Sequence, residues 1–191
     1  MRLWLHTAAR RESLRDAPDW GGQAYTSARL ITRGKAEWTY GFFEVRAKMP
    51  CGRGTWPAIW MLGVGPWPDA GEIDILEHMG HSPQLISSAV HTAAASAGQA
   101  AHGRQRVPDA CGAFHDYQLL WTREGLSFGV DGVLHWHYPR PANEPAAWPF
   151  DRPQFLILNL AIGGDLGGPV DDAIFPVALQ VEHVRVYQPS R

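Results

Sequence analysis

The sequence predicts an all-β fold: a sandwich, jelly roll or barrel. Short runs of alternating apolar and polar residues dominate the 191-residue chain. Turn-forming Gly, Pro and Asp punctuate them, with 20 Gly and 15 Pro in all. No segment carries the three-to-four-residue apolar period of an amphipathic helix of normal length. Many short strands at roughly regular spacing are the pattern of sandwiches and barrels.

The elements follow in order. MRLWLHTAARRE reads as an early internal strand, and AYTSARLIT (24–32) as a second. FFEVRAKM (42–49) alternates cleanly, with Phe43, Val45, Ala47 and Met49 on one face and Phe42, Glu44, Arg46 and Lys48 on the other. TWPAIWML (55–62) is a dense apolar run broken by Pro57. GEIDILEHM (71–79) and LISSAVHT (85–92) follow. DYQLLWT (116–122) and LSFGVDGVLHWHY (126–138) read as a three-strand meander, with Asp131-Gly132 as a tight hairpin turn. FLILNLAIGG (155–164) is apolar enough for a strand buried on both faces, and LQVEHVRVYQ (179–188) is the last strand. Residues 93–109 and the proline-rich 140–152 read as loops. There is no internal repeat, and the length suits one domain over 1–191.

Composition narrows the function. Hydrophobic residues are 45% and charged residues 19%, with a formal charge of −2. Nothing in that balance suits a nucleic-acid or anionic-membrane partner. No apolar run is long enough to span a bilayer, and the first residues lack the pattern of a signal peptide. Nine tryptophans are many for this length and suit a site that stacks flat rings. The two cysteines, Cys51 and Cys111, lack metal-site spacing; sequence leaves open whether they pair. His6, His102 and His115 also lack such spacing and read as surface or structural.

GEIDILEHMG carries the chemistry. Strict alternation places Glu72 and Asp74 on one face but sends Glu77 to the core, where an unpaired carboxylate is costly. A β-bulge at Ile75-Leu76 removes the conflict: Glu77 rejoins the other acids and both apolar residues turn inward. Three aligned acids repel, which drives their pKa values apart. Glycosidic bond cleavage needs that division, one carboxylate ionised and one protonated. The bland alternative is a solvated strand face or a Ca²⁺ or Mg²⁺ cluster.

This run resembles the catalytic strand of glycoside hydrolase family 16 in its bulged Glu-x-Asp-x-x-Glu form. YTSARLITRGK, YGFFEVRAKMP, GTWPAIWML, FLILNLAIGG and VEHVRVYQ resemble the family's other strands, in its order, over Tyr25 to Gln188. The resemblance is strongest to the laminarinase-like branch. It implies a β-jelly-roll sandwich of two antiparallel sheets with an open cleft, and a retaining endo-β-1,3-glucanase. Glu72 is then the nucleophile, Glu77 the general acid/base and Asp74 the helper. Trp60, Trp67 and His91 match cleft residues, with Trp56 a further candidate and Arg46 and Asn159 as polar contacts. Core packing is the competing reading for the tryptophans, and a structural hydrogen bond for His91. Trp121, Trp136 and Trp148 read as packing, with Trp148 in a loop that could border the cleft.

The resemblance also implies a chain shortened at its N-terminus, with N-terminal strands missing. It implies no cofactor for catalysis. Family members bind a structural calcium; Glu182 stands at its C-terminal position, but the N-terminal partner is not found, which argues against the ion. A polysaccharide partner, a monomer and an extracellular or periplasmic location are the remaining expectations. The rivals are a hydrolase of agarose or carrageenan, disfavoured by the lack of an obvious basic cluster, a hydrolase of mixed-linkage glucan, and a non-catalytic β-glucan-binding protein, disfavoured by the presence of both glutamates.

Overall fold

The structure, a computed structural model, describes residues 24–188 and the backbone of 5–11. The strands are β1 (Leu5–Arg11), β2 (Tyr25–Thr26), β3 (Arg29–Ile31), β4 (Gly41–Lys48), β5 (Thr55–Gly63), β6 (Glu72–His78), β7 (Leu85–His91), β8 (Ala101–Arg106), β9 (His115–Trp121), β10 (Gly125–Val130), β11 (Val133–Pro139), β12 (Gln154–Ile162) and β13 (Val177–Tyr187). A single α-helical turn, α1, spans Gly164–Gly167. The His6 side chain, expected to be surface or structural, lies outside the described residues.

Two antiparallel sheets form the sandwich. The first has the order β11-β10-β9-β4-β13-β1-β2, the second β3-β12-β5-β6-β7-β8. The core lies between them. Phe43, Val45, Tyr117, Leu119, Trp121 and Phe128 of the first sheet meet Ile59, Met61, Ile73, Ile86, Leu156 and Leu158 of the second. Burying a side chain of this size is worth about 1.5–3 kcal/mol, so alternation on each strand selects its inward face. On β4 the buried and half-buried residues alternate without a break.

The expected fold is the observed one, with three local corrections. AYTSARLIT is two strands: β2 pairs with β1 in the first sheet and β3 with β12 in the second. Ser27 stands where the chain changes sheet, its hydroxyl donating to the Leu160 carbonyl at 2.5 Å. The segment 93–109 contains β8, paired with β7 from Leu85↔Arg106 to Val90↔Ala101. Arg46 lies on the first sheet, remote from the carboxylate strand. Its Nε is 2.8 Å from Glu182 and its Nη1 3.2 Å from Asp116. Alternation correctly gave Arg46 an outward face, but not which sheet that face belongs to. The same contact engages the carboxylate expected at a calcium site.

Other expectations hold. Asp131 (φ 52°) and Gly132 (φ 79°) make the turn between β10 and β11, a pair of left-handed residues suited to a two-residue hairpin. Trp121 and Trp148 are buried, and Trp136 packs against the core. Trp148 is held by Tyr138 and Phe150 and donates to Asp151, so it is a packing residue. Cys51 and Cys111 are joined as a disulfide, with a Cα–Cα distance of 5.8 Å.

Candidate active site

The outer face of the second sheet carries the three acids. On β6, Glu72 stands opposite Leu62, Asp74 opposite Trp60 and Glu77 opposite Ala58, and the register slips between Ile59 and Trp60. Ile75 is thus the extra residue of a β-bulge, and both Ile75 and Leu76 are in the core. The hydrophobic demand of two adjacent apolar residues forces the bulge, and the bulge brings Glu77 back beside Asp74.

An open groove runs across these acids. One half, about 480 Å³, is lined by Arg29, Trp56, Trp60, Asn159 and the carboxylates. The other, about 490 Å³, is walled by Trp67, His91, His102, Arg104, Asp165 and Leu166, and again by Glu72 and Glu77. Glu72, Trp56 and Glu77 border both halves, so a chain lying along the groove crosses them.

Each acid has a distinct setting. Trp67 is half exposed and donates its indole N–H to Glu72 Oε2 at 2.6 Å. Trp56 donates to Glu77 Oε1 at 3.0 Å. Asp74 is only 3% exposed, and His91 Nε2 lies 3.2 Å from its Oδ2. Burial raises the Asp74 pKa well above the usual range, and Glu72 and Glu77 push it further, against the opposing effect of His91. Burial also raises Glu77, helped by Glu72 and opposed by the Trp56 hydrogen bond and His91. Burial would lower His91, but Asp74, Glu72 and Glu77 outweigh it and raise it. Glu72, Asp74 and His91 each offer one ligand atom to a common point.

Trp60 donates to Asn159 Oδ1 at 2.7 Å. Arg29 lies over the Trp60 ring, 4.8 Å from its centroid. The structure therefore gathers Trp56, Trp60, Trp67, His91 and Asn159 around the acids, and excludes Arg46. Sequence reasoning misses Arg29, which sits inside the quoted YTSARLITRGK block, and Arg104 on β8; His102, expected to be surface or structural, lines the groove instead.

The sequence pattern described as "Glycosyl hydrolases family 16" matches residues 4–172. The chain belongs to glycoside hydrolase family 16. Among its relatives in the family is a beta-glucanase of Rhodothermus marinus, 50% identical over 87% of this chain and 64% of the relative. A glucan endo-1,3-beta-glucosidase A1 of Niallia circulans is 35% identical over 86% of this chain and 26% of its own length. The chain thus spans less than two thirds of these curated relatives. The X-ray structure of the laminarinase from Rhodothermus marinus superposes with a TM-score of 0.89 at 48% identity, covering 97% of this chain and 77% of that one.

Within this family 16 site, the buried acid sets a stability prediction. A carboxyl whose folded pKa is raised favours the fold while protonated, and that contribution is lost as pH rises through the raised value. Asp74 and His91 both shift upward, so both act in this direction. Asp74→Asn removes the buried charge and keeps the shape. Its Tm is expected above that of the parent at neutral pH, by about 2–4 °C per kcal/mol recovered. The gap should widen as pH rises from about pH 4 toward neutral. Scanning calorimetry across that range checks it; a variant less stable at every pH would refute the buried-charge account.

Proposed function

We propose that this chain is a retaining endo-β-1,3-glucanase that cuts laminarin-type glucans by double displacement. The supporting observation is the bulge that sets Glu72, Asp74 and Glu77 side by side on the floor of a groove with tryptophans on its walls. Glu72 attacks the anomeric carbon while Glu77 protonates the leaving oxygen. Glu77 then takes a proton from water, which hydrolyses the glycosyl-enzyme with net retention. Water is the only other reactant, and no cofactor takes part. Asp74 lies between them and resists further negative charge, and His91 holds it. Trp60 and Trp67 offer faces to pyranose rings, whose axial C–H groups are apolar.

Trp56 also positions a carboxylate. Its ring sits against Gly164, where a Cβ would come within 3.6 Å, and its N–H holds the Glu77 carboxylate. That bond opposes the upward pull of burial on Glu77. Trp56→Phe should therefore raise the Glu77 pKa further and carry the alkaline limb of the kcat/KM profile to higher pH, because Glu77 acts first as an acid. The rate at the optimum should fall by up to about tenfold. An alkaline limb that stays in place, with only KM changed, would make Trp56 a sugar contact instead.

Reducing-sugar release from laminarin, barley mixed-linkage glucan and agarose tests the proposal. Release should be highest from laminarin, and NMR of the first product should show the β-anomer. No release from any of them by folded protein would favour a glucan-binding role. One observation favours a second reading: Arg104 and His102 wall the half of the groove beyond Glu77, giving it more basic character than the sequence suggested. Preferential release from a sulfated galactan would select that reading. The disulfide and a polymeric substrate support an extracellular or periplasmic site of action, and we propose a monomer.

A further inference from the structure

A second cluster of reactive side chains lies outside the groove. Cys51 follows β4, His78 ends β6 and Cys111 precedes β9. One ligand atom from each lies within 4.8 Å of the others. His78 comes directly after Glu77, so it points to the opposite face, and it is 0% exposed. Its Nε2 is 3.1 Å from the Pro83 carbonyl. An N–H on Nε2 donating to that oxygen leaves the lone pair on Nδ1. Nδ1 is buried and has no hydrogen-bond partner. Burial keeps the ring neutral by lowering its pKa, with His81 adding to the effect and the Pro83 contact opposing it. Buried ring nitrogens are nearly always engaged, so an orphan one calls for an explanation.

The neighbours offer one: Cys51 and Cys111 each bring a sulfur within 4.8 Å of a ring nitrogen of His78, and Cys111 Sγ lies 3.6 Å from the same Pro83 carbonyl. A neutral imidazole whose second nitrogen is fixed by a backbone carbonyl is the usual form of a metal-ligating histidine. Two cysteine sulfurs stand beside it. Tetrahedral Zn–S bonds of about 2.3 Å place two sulfurs about 3.8 Å apart. The 5.8 Å Cα–Cα distance of Cys51 and Cys111 suits both a disulfide and such a pair.

We propose that Cys51, Cys111 and His78 form a two-state site: a disulfide when oxidised and, when reduced, a Cys₂His site for zinc or a similar tetrahedral divalent cation. A dithiol reductant converts the disulfide to two thiols and is itself oxidised to a disulfide. The cation then displaces one proton from each thiol, two protons per ion, and takes the Nδ1 lone pair of His78 without releasing a proton. Water fills the fourth position. Both cysteines are half-buried and give the ion a path from solvent. Oxidation of the pair by a small-molecule disulfide, itself reduced to two thiols, expels the ion, so disulfide and metal exclude each other.

The full chain, reduced with dithiothreitol and desalted without oxygen, is titrated with Co²⁺ and then Zn²⁺. The expected result is one Co²⁺ per chain, with a thiolate-to-cobalt charge-transfer band and tetrahedral d–d bands, bleached by Zn²⁺. The oxidised chain should show neither. His78→Gln should weaken binding by at least about 10–100-fold, the range seen when even an outer partner of a metal site is lost. If that variant does not fold, Cys111→Ser should abolish the charge-transfer band in its place. Absence of the band in reduced chain that keeps its near-UV circular dichroism would overturn the proposal, as would unfolding on reduction or an equal response from oxidised chain. Uptake at Glu72, Asp74 and His91 would lack the thiolate band and would also count against it.

Discussion

Glu72→Gln should lower kcat on laminarin by about 10⁴-fold, equivalent to about 5.5 kcal/mol of transition-state stabilisation, with KM nearly unchanged. The substitution keeps the shape, and an amide oxygen can still accept from the Trp67 indole, which now reaches Glu72 Oε2 at 2.6 Å. What is lost is the charge that forms the covalent bond. The fold should survive, because Glu72 lies on the groove face and contributes nothing to the core. Near-UV circular dichroism and laminarin affinity serve as controls. More than about a tenth of the parent activity would mean that the nucleophile is elsewhere and that the groove acids have another purpose.

Glu77→Ala should produce a different signature. Loss on laminarin should reach about 10²–10⁴-fold, the usual worth of a positioned acid/base. On an aryl β-glucoside with a good leaving group the first step needs little protonation, so the glycosyl-enzyme should form and accumulate. Mass spectrometry should then detect the chain plus one glycosyl unit, and azide should restore turnover by replacing the water that Glu77 no longer activates. The raised pKa of Glu77, caused chiefly by burial, suits the acid role proposed for it in the first step. Equal losses on both substrates, without azide rescue, would remove Glu77 from the proton-transfer role.

The bulge was legible because two constraints collide within seven residues: three acids want one face and three apolar residues want the other. Only an inserted residue satisfies both. The strands of the core were legible for a related reason, since alternation on β4 or β9 is driven by burial and is written in the side chains. Arg46 shows where this stops. Its outward direction follows from alternation, but both sheets have outward faces, and only long-range pairing decides which faces the groove. The split of AYTSARLIT has the same origin, because β2 and β3 continue one apolar pattern while pairing with strands far apart in sequence. β8 was hidden by composition. Its Gly103 has no side chain because Trp136 packs where a Cβ would be, 2.3 Å away, and that close approach erases the alternation a reader looks for. Arg104 is hidden with it, and the place of His102 on the groove wall as well.

The acids all belong to one uninterrupted seven-residue strand, whereas the groove walls come from segments scattered from Ser27 to Leu166. The groups proposed to break the bond therefore form a short local cassette. Trp56, Trp67 and His91 touch the acids directly, but other wall residues stand apart from them. Drift at Arg29, Arg104 or Asp165 can retune which polymer is accepted without disturbing the reacting groups, so new specificities are reachable by single steps. The cassette itself has the opposite character: deleting Ile75 alone would turn Glu77 inward and silence the strand, a frame that selection can keep or lose but cannot adjust gradually.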